Sequence, residues 1–273
     1  ILNAFLIMNP IKEHLKKFGI KKFRDGYSFT DWALTVISQK EGLKIEKLKE
    51  PLIDGTATFF DQLQFYNFIS DKRIAGVVHS EKADAIRIIA ESVKPYIFEK
   101  DSILDLGCHI GYLTSWYALS NLSSFVVGID SALASIKTAQ FYAKELGINN
   151  VHYEGADLKT LKLKQKFDVI VDSQSICYCE NQEKIFHNLS RLINQSGTLI
   201  TIPAIGTLEE ITQFINRLES ANWGIKIFEF IQHEDLGNRQ AYPFIIANLN
   251  CDSIDIELDV KHENVFAWAT SEG

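Results

Sequence analysis

The sequence has no C-x-x-C pair, no long hydrophobic run and no excess of positive charge, and each absence removes a class of protein. Four cysteines, at positions 108, 177, 179 and 251 of 273 residues, frame neither a disulfide scaffold nor a zinc ribbon. A reducing compartment is therefore the simpler setting, and the chain is expected to be cytoplasmic. Cys177 and Cys179 form a C-x-C without partner ligands nearby in sequence, which reads as strand-edge packing and no metal site. The apolar start, Ile1 to Met8, is too short to span a bilayer and lacks a preceding basic region and a small-residue cleavage site, so no membrane association is expected. Methionine is absent before Met8, and residues 1–7 read as an appended stretch or as part of a larger parent chain. A formal net charge of -7 argues against broad capture of nucleic acid. The local exception is Lys12, Lys16, Lys17, Lys21, Lys22 and Arg24: a solvated helix face by default, and otherwise a dock for an acidic carrier or protein partner across 12–24. No internal repeat or low-complexity tract occurs.

What the chain does contain is a change of rhythm near residue 81. Its length suits one large domain, or a domain with an attached cap, with a substantial core. From residue 81 to 250 short apolar runs alternate with helical periods, the mark of βαβ units and a parallel sheet. Strands are expected at 102–106, 124–129, 151–153, 167–172, 198–202, 225–231 and 243–249. Ser80 is expected to cap a helix carrying Ile86, Ile89, Ala90 and Val93 on one face, with Pro95 ending it. Further helices place Ile136, Ala139, Ala143 and Leu146 on one face before a Gly147 stop, then Ile185, Leu189 and Leu192, then Leu208, Ile211, Ile215 and Leu218. The last two strands are joined by Gln232 to Tyr242 without a helical pattern, which predicts an antiparallel pair closing the sheet.

Residues 1–80 lack that rhythm and read as a mainly helical cap or substrate lid. Its aromatics, Phe59, Phe60, Phe65, Tyr66 and Phe68, are core by default; Tyr66 is the candidate to line a substrate pocket. Residues 251–273 form a tail in which alternation over Ile254 to Val260 suggests a further edge strand.

The most informative stretch is Ile103-Leu104-Asp105-Leu106-Gly107-Cys108-His109-Ile110-Gly111, a buried strand running into a glycine-bearing turn and then a helix over Tyr112 to Leu119. Such a turn brings backbone close to a ligand, and the helix's first amides face it. Asp105, Asp130 and Asp157 close three successive strands, so in a parallel sheet their carboxylates are expected to converge on one crevice. Asp130 lies about 20 residues beyond Gly111, where an acidic side chain can accept from ribose hydroxyls.

With Leu104 to Gly111, Gly128-Ile129-Asp130, Gly155-Ala156-Asp157-Leu158, Phe167-Asp168-Val169-Ile170-Val171-Asp172 and Arg191 to Leu199 in this order, the chain resembles the class I S-adenosylmethionine-dependent methyltransferases over about residues 81–250. The resemblance implies a doubly wound α/β fold with seven strands, mostly parallel, the last reversed. It implies S-adenosylmethionine as cofactor, S-adenosylhomocysteine as product, and a binding set of Asp105, Gly107, Cys108, His109, Gly111, Asp130, Ser131, Ala156, Asp157, Leu158 and Ser173. Within that set the Gly107 to Gly111 loop cradles the methionine moiety, Asp130 holds the ribose, Asp157 with Leu158 meets the adenine, and Ser173 lies near the methyl group. His109 departs from the family, which most often has glycine there. A nicotinamide-dependent dehydrogenase shares the architecture, but its G-x-G-x-x-G is absent, since three non-glycine residues separate Gly107 from Gly111.

Methyl transfer from a sulfonium is an in-line displacement, in which positioning alone can supply about 7 to 11 kcal/mol. A neutral nucleophile also uses a general base, typically contributing about 100- to 10,000-fold. His79 and Tyr178 are the catalytic candidates, Tyr178 also as a substrate contact. Asp172-Ser173-Gln174-Ser175 lacks the Asn/Asp-Pro-Pro-aromatic signature of base-amine methylation, and neither Cys177 nor Cys179 follows a proline as a cytosine-C5 nucleophile does. A small-molecule acceptor of metabolite or natural-product type is therefore expected, with oxygen, nitrogen and carbon all open. The alternatives are a catalytically silent cofactor-binding module, and methylation of a protein or carrier-tethered substrate.

Overall fold

The alternating pattern beyond residue 81 is realised as one seven-stranded sheet in the computed structural model, which describes residues 10–256. Before the sheet come α1 (Pro10–Lys17), α2 (Gly26–Val36), α3 (Gln39–Ile53), α4 (Phe59–Phe68), α5 (Lys72–Ser80) and α6 (Ala83–Ile97). Then follow β1 (Ser102–Leu106), α7 (Tyr112–Ser120), β2 (Phe125–Asp130), α8 (Leu133–Glu145), β3 (Val151–Gly155) and β4 (Phe167–Ser173). The chain continues through α9 (Gln182–Leu192), β5 (Ile193–Ile202), α10 (Leu208–Ser220), β6 (Trp223–Asp235) and β7 (Asn238–Leu249).

The strand order is β3-β2-β1-β4-β5-β7-β6. Strands β1 to β5 pair in parallel, whereas β7 runs antiparallel to both β5 and β6. Side chains alternate across each strand, which sorts the core into two layers. Ile103, Val126, Val169 and Ile200 pack on α6, α7 and α8, while Leu104, Val127, Ile170 and Leu199 pack on α9 and α10. Each such fully buried side chain contributes about 1.5 to 3 kcal/mol relative to exposure.

The three later helices form with the expected faces inward, and Gly147 ends the helical run at a φ of +66°. Several boundaries differ from the sequence reading. Ser80 does not cap α6: it lies in the last turn of α5, where its hydroxyl donates to the Gly76 carbonyl and accepts from the Lys21 N–H. The cap comes instead from Asp235 at the end of β6, whose carboxylate accepts the N–H groups of Asp84 (2.7 Å) and Ala85 (3.0 Å). Pro95 does not end α6 either, since the helix runs on to Ile97. Strand β5 starts at Ile193, which pairs with Phe167 before a register shift. Strands β6 and β7 extend towards each other and leave only Leu236 and Gly237, both at positive φ, in the turn. That is the conformation a tight two-residue hairpin requires.

Residues 251–256 form no strand, and 257–273, which hold the rest of the anticipated edge strand, lie outside the described residues, as does Ile1 to Met8. In the first 80 residues the described segments are helical, but they do not act alike. Ile11, Leu15, Phe18 and Ile20 join the core under the sheet, with the Phe18 and Tyr142 rings 4.3 Å apart. Ala33, Ile37, Phe65, Ile69, Ile74 and Val77 form a separate small cluster. Among the described residues no helix is long and apolar enough to cross a membrane.

Candidate active site

A cavity of about 500 Å³ opens at the carboxyl ends of β1, β2 and β4, roofed by α4 and walled on its other side by α3 and the start of α6. Parallel-sheet folds bind ligands at this edge, where the loops after neighbouring strands diverge. Of the residues anticipated from sequence, Gly107, His109, Asp130, Ser131, Asp157, Leu158, Ser173, His79, Tyr66 and Tyr178 all line it.

Asp105, Cys108, Gly111 and Ala156 do not line it, and the expected convergence of three carboxylates is corrected to two. Asp105 lies within β1 rather than at its end, so the strand's alternation turns its carboxylate into the interior, where Thr114 Oγ1 of α7 donates to it. Burial pushes its pKa up to about 7, against the Thr114 hydrogen bond. Cys108 is buried in the core. Gly111, at φ +79°, begins α7, and a Cβ there would lie 2.5 Å from the Tyr153 hydroxyl. Its lack of a side chain thus serves the contact with β3. Gly107 is the position where the backbone itself meets the cavity; a Cβ there would come within 2.4 Å of the Ser175 Cβ.

Asp130, the last residue of β2, is fixed by two backbone donors, His109 N–H (2.8 Å) and Ala132 N–H (2.7 Å). A carboxylate accepts about four hydrogen bonds, so capacity remains for a ligand. Burial raises its pKa, and the two N–H groups oppose that shift. Asp157 receives the Lys159 N–H at 2.8 Å, and Leu158 supplies an apolar wall.

His109 occupies the left-handed region, φ +46°, and its ring is buried and turned inward. Its Nδ1 lies 2.9 Å from Nε2 of His79, so one ring donates and the other accepts. Burial lowers the pKa of His109 to about 4. Burial also holds His79 well below the usual imidazole range, helped by neighbouring His109 and Lys82. Both rings are neutral at pH 7. The Tyr66 ring meets His109 edge-on at 5.8 Å.

Tyr178 stands in the 3₁₀ turn Ile176–Tyr178 beyond β4, half-exposed at the mouth, where its carbonyl accepts from Gln62 of α4 at 3.2 Å. Burial by surrounding protein pushes the phenols of Tyr66 and Tyr178 up, so both remain protonated donors near neutrality. The loop carrying Tyr178 is organised by Asp172, which accepts from Thr201 (2.6 Å) and from the N–H groups of Ser175 and Ile176 (3.0 Å each).

Sequence reasoning missed Tyr112, Gln174, Ser175, Gln62 and Lys82 in the lining. Tyr112 and Ser175 adjoin segments already singled out, and their positions after Gly111 and Asp172 were available signals; Gln62 and Lys82 carried none. The cap aromatics divide: Phe59, Phe65 and Tyr66 line the cavity, and Phe60 is exposed. In the basic segment Lys16 pairs with Glu13, Lys22 with Asp84, and Lys21 lies over the Trp32 ring.

A family model described as a methyltransferase domain matches residues 97–237, from the end of α6 to the β6–β7 turn. The chain belongs to the methyltransferase-domain family. The ubiquinone biosynthesis O-methyltransferase of Rickettsia canadensis (strain McKiel) is 29% identical over 159 residues, 57% of this chain and 61% of the relative. The malonyl-[acyl-carrier protein] O-methyltransferase of Bacillus cereus is 26% identical over 132 residues, 46% and 48% of the two chains. The chain thus spans about half to two thirds of these relatives' length. Among solved structures, the N-methyltransferase NodS from Bradyrhizobium japonicum WM9 in complex with S-adenosylhomocysteine superposes with a TM-score of 0.50 at 14% identity, covering 60% of this chain and 87% of that one. That likeness shows the methyltransferase-domain chain to share a Rossmann-like methyltransferase fold.

Proposed function

We propose that the protein is an S-adenosylmethionine-dependent methyltransferase acting on a small-molecule acceptor. The carrying observation is Asp130: a carboxylate held by two backbone amides at the end of β2, beside Gly107 at the end of the neighbouring strand β1, both lining one cavity. The residues fit the cofactor. Gly107 presents backbone at the cavity while Ser175 fills the space its side chain would need, Asp130 with Ser131 would hold ribose hydroxyls, and Asp157 with Leu158 would hold the adenine edge and face. When bound, the cofactor supplies an electrophilic methyl on a sulfonium.

This chain's own residues align and enclose. Helix α4 roofs the cavity with Tyr66 and ties to the far rim through Gln62 and the Tyr178 carbonyl. Within the first 80 residues the lid role falls to α3 and α4, since α1 belongs to the core beneath the sheet. The His79–His109 pair, neutral at pH 7, is the candidate proton acceptor for a hydroxyl or amine nucleophile. Tyr178, held protonated, serves as a substrate contact and donor rather than as a base. Asp105, Cys108, Gly111 and Ala156 act behind the cavity wall, fixing the strands and loops that bear the binding residues.

The test is calorimetric titration with S-adenosylmethionine and S-adenosylhomocysteine, with NAD in parallel. Binding of both sulfur ligands, with NAD silent, is expected. Asp130→Ala should weaken S-adenosylhomocysteine about 10- to 100-fold, the worth of charged hydrogen bonds of roughly 1.5 to 3 kcal/mol. An unchanged affinity in that variant would sink the assignment.

A further inference from the structure

The wall of the cavity opposite Asp130 and Asp157 has a composition that the cofactor does not explain. It is built by the end of α3, the end of α5 and the first turns of α6, with Leu52, Ile53, Val78, Ile86 and Ile89 as its apolar surface. Into this wall are set three charged residues, Lys49, Glu81 and Lys82. Lys49 and Glu81 pair with each other at 3.2 Å. Lys82 is in no direct ion pair among the described residues, although the carboxylates of Glu81 and Asp235 act on it at longer range, so its ammonium stands beside an aliphatic surface with no carboxylate in contact.

Lys82 lines the cavity at the start of α6, beside Glu81. Its side chain is reachable by solvent, yet protein crowds it on enough sides that its pKa is lowered, by burial first and then by the neighbouring Lys49 ammonium. Its backbone precedes α6 and no side-chain cap depends on it, because Asp235 caps that helix. A structural task for the ammonium is therefore absent from the hydrogen bonds and ion pairs of the described residues.

We propose that Lys82 is the specificity-determining residue for an acceptor that combines an apolar body with a carboxylate, the body lying on the α3–α6 wall and the carboxylate meeting the Lys82 ammonium. The inference rests on the methyltransferase reading and names the substrate class of that site. An ammonium without a contacting carboxylate can pair directly with an entering anion, and the pairing is strongest where water is partly excluded. A neutral acceptor of the same shape would bury the apolar wall but make no charge-assisted contact with Lys82, which is a device for discrimination.

The experiment measures acceptor affinity calorimetrically in wild type, Lys82→Met and Lys82→Arg, with S-adenosylhomocysteine present. The probes are matched pairs: indole-3-acetate against its methyl ester, and decanoate against decanamide. Wild type is expected to prefer the acid of at least one pair by about 10- to 100-fold, the range expected for a charged hydrogen bond. Lys82→Met should erase that preference and Lys82→Arg should retain most of it. S-adenosylhomocysteine affinity, titrated separately, should be the same in all three proteins. A preference below threefold in both pairs, failure of both acids to bind, or a preference that survives in Lys82→Met overturns the proposal. Failure of wild type to bind S-adenosylhomocysteine is a separate result, and it overturns the cofactor reading instead.

Discussion

Replacing Asp235 by alanine should destabilise the protein far more than its place at a hairpin end suggests. The carboxylate is 7% exposed and accepts the Asp84 N–H at 2.7 Å and the Ala85 N–H at 3.0 Å, with His233 Nδ1 at 3.1 Å. Truncation leaves two buried N–H groups at the start of α6 without an acceptor. Each unsatisfied buried group costs about 1 to 3 kcal/mol, and loss of an ordinary N-cap alone costs about 1 kcal/mol. The cap loss is the loss of these same bonds and is not added, and partial access of water to the freed amides trims the upper end, so the expected loss is about 2 to 5 kcal/mol. Asp235→Asn keeps one acceptor oxygen but loses the negative charge that complements the helix N-terminus, an expected cost of about 1 to 2 kcal/mol. Urea unfolding followed by circular dichroism measures both, as a lowered midpoint at unchanged slope. An alanine variant within about 0.5 kcal/mol of wild type would refute the assignment of Asp235 as the cap of α6.

Two further outcomes follow from buried groups around the site. Asp105 is pushed up to about 7 in the folded protein, so between about pH 4 and pH 7 the native state binds a proton that the unfolded chain has released. Stability of wild type relative to Asp105→Asn should therefore fall as pH rises through that window, by at most about 1.4 kcal/mol per unit, and level off above it; parallel stability curves for the two proteins would contradict this. Gly111→Ala places a methyl 2.5 Å from the Tyr153 hydroxyl at a φ of +79° and should cost about 1 to 3 kcal/mol, seen as a lowered melting temperature. An unaltered Tm would show that β3 and α7 yield without cost.

The sheet was legible in the sequence because its signal is local. Runs such as Val126 to Ile129 and Phe167 to Asp172 are short, apolar and bounded, and βαβ connection leaves few ways to arrange them. The family motifs likewise sit in contiguous segments, so Gly107, Asp130 and Asp157 could be assigned to one edge before the fold was known. What escaped depends on contacts across the chain. Ser80 looked like a cap because it precedes a helical pattern, yet the acceptor used by α6 lies about 150 residues away. Asp105 looked like a crevice residue because it nearly ends a strand, but one position decides which face a strand side chain takes. Gly111 looked like a ligand contact, whereas the Tyr153 ring, reaching across from β3, is what excludes its Cβ. His109 could be seen as a departure from pattern; only its partner His79, 30 residues earlier in sequence and 2.9 Å away in space, shows where the ring goes.

The β6–β7 hairpin also bears on how the molecule is made. Synthesis runs from the amino end, and all the loops that carry Gly107, Asp130, Asp157 and Tyr178 precede residue 200. The carboxylate that secures the start of α6 is added only with Asp235, and β7, which lies between β5 and β6, comes last among the described elements. A nascent chain halted after β5 would therefore hold the binding loops in sequence while the wall bearing Lys82 and Ile86 lacked its anchor. Ligand capture is expected only after the β6–β7 hairpin leaves the ribosome, so a truncation ahead of it should yield a chain that collapses around the parallel strands without a competent cavity.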